Sequence, residues 1–222
     1  MNSTADEIDA KLQALADHSV GPLRALRRTY SKRLQAASGR DVISAALDLH
    51  RRGGLSRHFI ACELVRYHPA ALAALGGRDL EQFGKRLDSW AAADSIACYL
   101  SGLAWKMGRV TDAWIQSWAR SPDRWRRRAA LVSTVPLNSR AYGGEGDAVR
   151  TLQVCALVVD DRDDMVVKAL SWALRELAKR DRASVERFLE RHGDRVSARI
   201  RREVGNKLAT GRKDGRTLAA PA

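Results

Sequence analysis

Apolar side chains at helical spacing, broken by glycine or proline about every 15 to 20 residues, run through most of this chain. Leu23, Leu26, Tyr30 and Leu34 give an early example, because residues three or four positions apart share one face of an α-helix. No segment combines sustained alternation of apolar and polar residues with β-branched side chains, as a half-buried strand would. The chain is therefore predicted to be all-α.

The spacing of the breaks suits short helices in pairs, which stack into an α-solenoid of roughly 40-residue repeats. We expect one domain over residues 1–222, with a tail that frays from about residue 209, where the apolar pattern is lost. The longest predicted loop is the stretch 139–146, whose glycines favour mobility. The predicted helices span about residues 6–18, 23–34, 42–49, 56–67, 79–87, 88–104, 110–119, 123–135, 147–159, 163–180, 183–191 and 195–208, with a short helix between Pro69 and Gly76.

The charge balance is strongly basic. The chain carries 39 lysine and arginine residues against 26 aspartate and glutamate residues, a formal net charge of +13. Such an excess favours a polyanionic partner, nucleic acid first and a membrane surface second. No stretch approaches the roughly 18 consecutive apolar residues of a membrane span. The polar start is unlike a secretory signal or a transit peptide, and three widely spaced cysteines are typical of a reducing cytoplasm.

The stretch Ser89 to Ile96 places an aromatic side chain beside a carboxylate. At about 100° per residue, Trp90 and Asp94 lie roughly 40° apart on one helix face, whereas Ala92 and Ile96 lie on the opposite, apolar face. Two interpretations follow. Trp90 packs against a neighbouring helix while Asp94 is solvated, or the two side chains form the wall of an open site.

A second tryptophan, Trp172, lies in the predicted helix 163–180, roughly 130° from the centre of its apolar side. Lys168, Arg175 and Lys179 surround it. A tryptophan among cations is typical of a stacking or sugar-contacting aromatic between phosphate-binding groups. The alternative is a tryptophan covered by an adjacent repeat, with cation–π partners.

The third informative stretch is Arg124-Trp125-Arg126-Arg127-Arg128, with four arginines in five positions. Arg128 projects to the apolar side of its helix, and Arg126 and Arg127 project elsewhere. An arginine on the apolar side needs an anion, because an unpaired buried charge is costly. Asp94, a nucleic-acid phosphate or a structural ion pair would each serve.

Other chemistries fit the sequence poorly. His58 and Cys62 share a helix face, but two ligands do not make a zinc site. No phosphate-loop glycine pattern and no nucleophilic serine or cysteine with a paired histidine is present. We therefore expect no metal and no organic cofactor.

Three motifs follow one another in the order and approximate spacing of the AlkD-like DNA glycosylases: Ser89-Trp90 with Asp94-Ser95-Ile96, then Arg128-Ala129-Ala130, then Ser171-Trp172-Ala173-Leu174-Arg175-Glu176. The chain resembles this family from about residue 21 to residue 208. The resemblance implies a right-handed α-solenoid of HEAT-like helical repeats with a concave, basic face for duplex DNA. It also implies a monomeric, monofunctional glycosylase of base excision repair, acting at the nucleoid of a bacterial cytoplasm.

By this resemblance, Trp90, Asp94 and Trp172 form the catalytic cleft, and Arg128 holds backbone phosphate beside it. The implied substrates are cationic N3- and N7-alkylated purines, bulky adducts included, and hydrolysis of the N-glycosidic bond leaves an abasic site. Two positions depart from the family pattern. Relatives have a second tryptophan at the position of Ser89 and an acidic residue at that of Ala92, so the cleft is expected to be wider or less aromatic.

A non-catalytic HEAT-like module that binds DNA, RNA or an acidic protein explains the fold and the charge equally well. It does not explain a carboxylate at Asp94 within a cation-rich, tryptophan-walled surface, because a carboxylate repels phosphate. This misplaced charge favours an enzyme. Besides Arg128, the residues expected to contact phosphate are Arg24, Arg27, Arg28, Arg126, Arg127, Lys168, Arg175 and Lys179.

Overall fold

The structure, a computed structural model, describes residues 3–216 and divides into two compact units, Met1–Thr111 and Asp112–Ala222. Within residues 3–216 the chain forms helices joined by turns, and none of these residues lies in a strand. The prediction of an all-α protein is therefore confirmed. The single domain over residues 1–222 and its solenoid arrangement stay predictions.

In the first unit, α4 is a largely buried helix, with Ile60–Val65 all buried. It packs against α3 and against both α2 and α7. The bounds are α1 (Thr4–Gln13), α2 (Val20–Arg33), α3 (Gly39–Arg51), α4 (Leu55–Arg66), α5 (Pro69–Ala74), α6 (Gly77–Gly84), α7 (Trp90–Ile96) and α8 (Gly102–Lys106).

In the second unit, α13 lies at the centre and packs against α10, α12 and α15. Its apolar residues, among them Leu170, Ala173 and Leu174, are almost completely buried. The bounds are α9 (Asp112–Ala119), α10 (Arg124–Val132), α11 (Val135–Asn138), α12 (Ala148–Leu157), α13 (Asp164–Leu177), α14 (Arg182–His192) and α15 (Ala198–Thr210).

Serine and aspartate side chains define most helix starts, because their oxygens accept the first-turn backbone N–H groups that lack a helical partner. Such caps begin α1, α3, α7 and α15 at Ser3, Ser38, Ser89 and Ser197, and α10, α12, α13 and α14 at Asp123, Asp147, Asp163 and Asp181.

The predicted helix 123–135 is interrupted in the structure. Pro136 lacks a backbone N–H and its ring conflicts with the carbonyl four residues before it, so α10 ends at Val132 and a short α11 follows. The hydroxyl of Ser133 donates to the Ala129 carbonyl at 2.7 Å, and that of Thr134 donates to the Leu131 carbonyl at 2.7 Å. Neighbouring side chains thus satisfy backbone oxygens at the break.

The predicted helix 88–104 corresponds to α7 and α8, joined by a π-helical turn over Ala97–Ser101. The junction residues Ile96 (φ −62°, ψ −40°) and Gly102 (φ −68°, ψ −36°) are both helical, so the path is continuous. A π-helical turn carries one extra residue and often accompanies a functional site. Here it begins three residues after Asp94.

The stretch 139–146, predicted to be a mobile loop, is tied to the turn that follows α13. Arg180 donates from Nε to the Asn138 carbonyl at 2.8 Å and from Nη2 to the Gly144 carbonyl at 2.7 Å. A Cβ on Gly144 would lie 2.6 Å from the Pro136 carbonyl oxygen, so the backbone passes too closely for a side chain.

The tail was predicted to fray from about residue 209. In the structure α15 extends to Thr210, and residues 217–222 lie outside the described residues.

None of the helices in the described part of the chain combines the length and the apolar character that crossing a bilayer requires.

Candidate functional site

The first unit presents Trp90 and Asp94 on α7. Trp90 is the first residue of the helix and is 58% exposed, whereas Ala92, Ala93 and Ile96 are buried. Asp94 follows one turn later and is half-buried. The helix therefore buries its small and apolar side and leaves the indole in solvent, which confirms that Trp90 is not a core residue.

The two departures from the family pattern have structural roles here. The hydroxyl of Ser89 accepts the backbone N–H of Ala92 at 3.3 Å and so caps the helix that carries Trp90 and Asp94. Ala92 is buried, and its carbonyl lies 3.0 Å from Nε2 of His58. A tryptophan at position 89 could not supply this cap, because its side chain has no acceptor.

A buried carboxylate pairs with two of the predicted phosphate ligands, of which Arg24 keeps 40% of its side chain exposed. Glu63 on α4 is fully buried and accepts from Arg24 Nε at 2.9 Å and from Arg27 Nε at 3.1 Å. The hydrogen bond to Glu63 raises the pKa of Arg24. Arg27 is only 8% exposed, and its guanidinium lies 4.1 Å from the centroid of the Tyr67 ring. Arg27 is thus paired inside the unit, and the phosphate role predicted for it stays a prediction.

Sequence reasoning missed a neighbouring cluster of cations and aromatic rings. The guanidinium of Arg66 lies 5.0 Å from the centroid of Tyr67 and 4.5 Å from that of Tyr99, and Tyr67 is 45% exposed. Burial raises the pKa of the Tyr99 hydroxyl, with Glu63 adding to the effect. Interleaved arginines and aromatics are typical of nucleic-acid surfaces. The adjacent Arg66 and Tyr67 were the available signal in the sequence.

In the second unit, Arg128 is buried on α10 and donates from Nη1 to the Met165 carbonyl at 2.7 Å. This carbonyl belongs to the first turn of α13, so the guanidinium reaches the helix that carries Trp172. A backbone acceptor was not among the three partners that the sequence left open for Arg128.

Arg127 has a structural role. It donates from Nε to Asp161 at 2.6 Å and from Nη1 to the carbonyls of Ser121 and Pro122 at 3.0 and 2.8 Å. These bonds join the start of α10 to the connection between α12 and α13, and the phosphate role predicted for Arg127 stays a prediction. The guanidinium of Arg126 lies 5.5 Å from the Trp118 ring centroid and is half-buried.

Along α13, Lys168, Trp172 and Arg175 follow at intervals of four and three residues, which places them on one side of the helix. All three are half-buried. Lys168 pairs with Asp164 at 2.7 Å, and Lys179, beyond the helix end, pairs with Glu176 at 2.7 Å. Burial lowers the pKa of the Arg175 guanidinium, although Glu203 and Glu176 oppose the effect. The Lys168–Asp164 pair lies at the surface and is weak, so phosphate can compete for Lys168.

The four residues of the predicted cleft thus belong to two units, Trp90 and Asp94 to the first, Arg128 and Trp172 to the second. Their convergence on one surface stays a prediction. Among residues 3–216, no three histidine, cysteine, aspartate or glutamate side chains are placed to hold a metal ion.

Comparison with known proteins supplies the family. Neither the curated proteins nor the solved structures yield a match to this chain. A family model described as DNA alkylation repair enzyme matches residues 18–208, which contain all four residues of the predicted cleft. Since the match covers most of the 222 residues, the chain belongs to the family of DNA alkylation repair enzymes.

Proposed function

We propose that this protein is a monofunctional DNA glycosylase that hydrolyses the N-glycosidic bond of cationic N3- and N7-alkylated purines in duplex DNA. Membership of a DNA alkylation repair family supports a role in repair. The observation that carries the proposal further is the pair on α7: an indole that is 58% exposed, with a carboxylate one helical turn away. In a chain of net charge +13, a carboxylate on a DNA-facing surface opposes binding, so it is expected to serve another purpose.

The chemistry of the lesion matches these residue types. An N3- or N7-alkylpurine carries positive charge, so its base leaves as a neutral molecule and needs no strong general acid. The sugar becomes oxocarbenium-like as the C1′–N bond breaks and the base takes the bonding electrons. Asp94 stabilises that positive charge and accepts the proton of the water that attacks C1′. Trp90 and Trp172 offer π faces to the cationic sugar.

In this proposal, the chain is a monomeric, right-handed solenoid of HEAT-like repeats whose concave, basic face binds duplex DNA. Arg128 holds a backbone phosphate beside the lesion. Burial of Arg128 and its hydrogen bond to the Met165 carbonyl fix the orientation of the guanidinium before DNA binds. Less conformational entropy is then lost on binding. The cations proposed as phosphate ligands are Arg24, Arg27, Arg28, Arg126, Arg127, Lys168, Arg175 and Lys179, joined by Arg66.

The decisive variant is Asp94→Asn, which keeps the shape of the side chain and removes its charge. We expect duplex affinity to be kept or raised, and base release to fall by about 100-fold or more, comparable to the loss of one preorganised electrostatic group. Single-turnover release from duplexes with N7-methylguanine or uracil, measured beside duplex affinity, checks this. Wild type should release methylguanine and leave uracil in place, because no residue here activates a neutral leaving base.

Asp48→Asn is the matched control. Asp48 lies on α3 of the same unit, is half-buried like Asp94 and pairs with Arg51, so the same charge is removed away from α7. If wild type releases no base from cationic lesions, the protein is the non-catalytic DNA-binding scaffold instead. If wild type releases base and Asp94→Asn is as fast as Asp48→Asn, Asp94 is not the catalytic carboxylate.

A further inference from the structure

Two buried histidines connect α3 and α4 to the helix of Trp90 and Asp94. His58 on α4 and His50 on α3 are 4% and 3% exposed, and their Nδ1 atoms lie 3.0 Å apart. The other ring nitrogen of His58, Nε2, lies 3.0 Å from the carbonyl oxygen of Ala92. Ala92 is the third residue of α7, between Trp90 and Asp94.

The proton positions on the two rings follow from the carbonyl of Ala92, which ends the hydrogen-bonded series His50–His58–Ala92. A carbonyl only accepts, so Nε2 of His58 carries the proton that it donates to Ala92. A neutral His58 then has a bare Nδ1, which accepts from Nδ1–H of His50. Nε2 of His50 is consequently bare, and within residues 3–216 it has no hydrogen-bond partner. One arrangement of protons thus satisfies both short contacts, provided that both rings are neutral.

The surroundings keep the rings neutral. Burial lowers the pKa of His58 to about 4, with His50 adding to the effect, and burial also lowers the pKa of His50, helped by Arg86 and Arg51. The thiol of Cys62 lies 3.5 Å from Nε2 of His58, and its pKa is raised by burial, so it brings no charge. The backbone of Phe83 at His50 and the hydrogen bond to the backbone of Ala92 at His58 oppose the lowering of the two pKa values, and Asp88 opposes it at both histidines. The titratable or charged side chains facing the pair are Arg51, Cys62, Lys85, Arg86 and Asp88.

We propose that His58, held in its tautomer by His50, is a positioning residue for the proposed excision reaction, because it fixes the first turns of α7 through the Ala92 carbonyl. The catalytic part of this inference rests on the proposed function. A carbonyl has two lone pairs, so it can accept His58 and a helical N–H together. The second bond comes from α4, a separate helix, and ties Trp90 and Asp94 to the core of the first unit.

The need for such a tie follows from the helix itself. Only seven residues, Trp90–Ile96, precede the π-helical turn, which changes the hydrogen-bond register. Helix ends also fray, so the first turns of α7 depend on tertiary contacts for a fixed position. Small displacements of catalytic groups, of about 1 Å, can cost on the order of 100-fold in rate.

The test compares three variants of the full chain. His58→Phe keeps a ring and removes the donor, whereas His58→Gln keeps a donor for Ala92. His68→Phe is the control, because His68 is another buried histidine of the first unit that hydrogen-bonds a backbone carbonyl, Leu34 at 3.1 Å, and caps α5 instead of α7. The readouts are amide hydrogen exchange of α5 and α7, duplex affinity, and single-turnover release of N7-methylguanine at pH 7.

For His58→Phe, we expect exchange in α7 to accelerate by about tenfold or more and release to slow by about 10- to 100-fold, with affinity unchanged within about threefold. His58→Gln should recover most of the rate, and His68→Phe should accelerate exchange in α5 while keeping the rate. Unchanged exchange in α7 for His58→Phe, or an equal loss of rate in His68→Phe, overturns the proposal. If wild type releases no base, the catalytic part fails with the proposed function, and the exchange data still decide whether His58 anchors α7.

Discussion

Tryptophans occupy contrasting environments in this protein. Trp105 and Trp118 are each 1% exposed and fill the cores of their units, whereas Trp90 stands in solvent. An exposed indole adds little to folding, because it removes little apolar area from water. Retaining so large a side chain at the start of α7 is therefore better explained by a bound partner than by stability.

This contrast gives a prediction for Trp90→Ala. Because the indole is exposed, the free energy of unfolding should change by no more than about 0.5 kcal/mol. Release of N7-methylguanine should fall by about 5- to 150-fold, since a stacking aromatic contributes about 1–3 kcal/mol. Urea titration and single-turnover kinetics measure the two effects. Trp125→Ala, which removes a half-buried indole from α10, is the control, and equal losses of rate in both variants would count against a site at Trp90.

Single residues also set a pH dependence of stability. The unfolded chain has histidines of pKa about 6.5, whereas the pKa of His58 in the folded state is about 4. Between these values the unfolded state binds the extra proton, so the first unit loses stability as pH falls from about 6.5 towards 4. The loss approaches 1.4 kcal/mol per pH unit for one proton.

Urea midpoints at pH 7 and pH 5 measure this loss, and the double variant His50→Gln, His58→Gln should show much less of it. Carboxylates in ion pairs affect stability at lower pH. The hydrogen bond from Arg52 lowers the pKa of Asp6 to about 2, so this pair affects stability below about pH 4. A wild-type midpoint that is the same at pH 7 and pH 5 would mean that the histidine pair is protonated without cost.

At the scale of the helices, most of the chain could be predicted from the sequence. The first helix begins at Thr4, after its cap Ser3, instead of near residue 6. The cap of α13, Asp163, lies where that helix was predicted to start, because serine and aspartate caps are local signals. The π-helical turn at Ala97–Ser101 could not be predicted. One extra residue barely changes the apolar spacing, so Ile96, Leu100 and Leu103 read as an ordinary helix.

Close contacts between helices give a prediction about glycines. A Cβ on Gly39, at the start of α3, would lie 2.3 Å from the Ala70 carbonyl oxygen, whereas a Cβ on Gly205, inside α15, would meet nothing within 4 Å. Gly39→Ala should therefore destabilise the protein by about 1–3 kcal/mol, through overpacking against backbone. Gly205→Ala should stabilise it by about 0.5–1 kcal/mol, because alanine favours a helix interior. Thermal unfolding compares the two, and a stabilised Gly39→Ala would contradict the close approach of α3 and α5.

For the whole molecule, the sequence pointed to the type of partner better than to the residues that contact it. Periodicity was enough to find Trp90, because its own helix shows which face is apolar. It could not show that Arg24 and Arg27 meet Glu63, 39 and 36 positions away, or that Arg127 meets Asp161. Which cation is neutralised depends on contacts distant in sequence, so a list of arginines overestimates the charge available to DNA.

The remaining prediction concerns how that charge is distributed over the DNA contact. Each phosphate that a cation neutralises releases counterions, and the slope of log affinity against log salt changes by about 0.9 per contact. Arg28 is exposed on α2, and Lys168 lies one turn before Trp172 on α13 and pairs with the exposed Asp164. Arg28→Gln and Lys168→Gln should each make the slope shallower by about 0.9. Arg51→Gln removes the same charge from α3 and should leave the slope unchanged. Affinity for an undamaged duplex from 50 to 200 mM salt measures all four proteins, and a flat wild-type dependence would exclude a phosphate-driven contact.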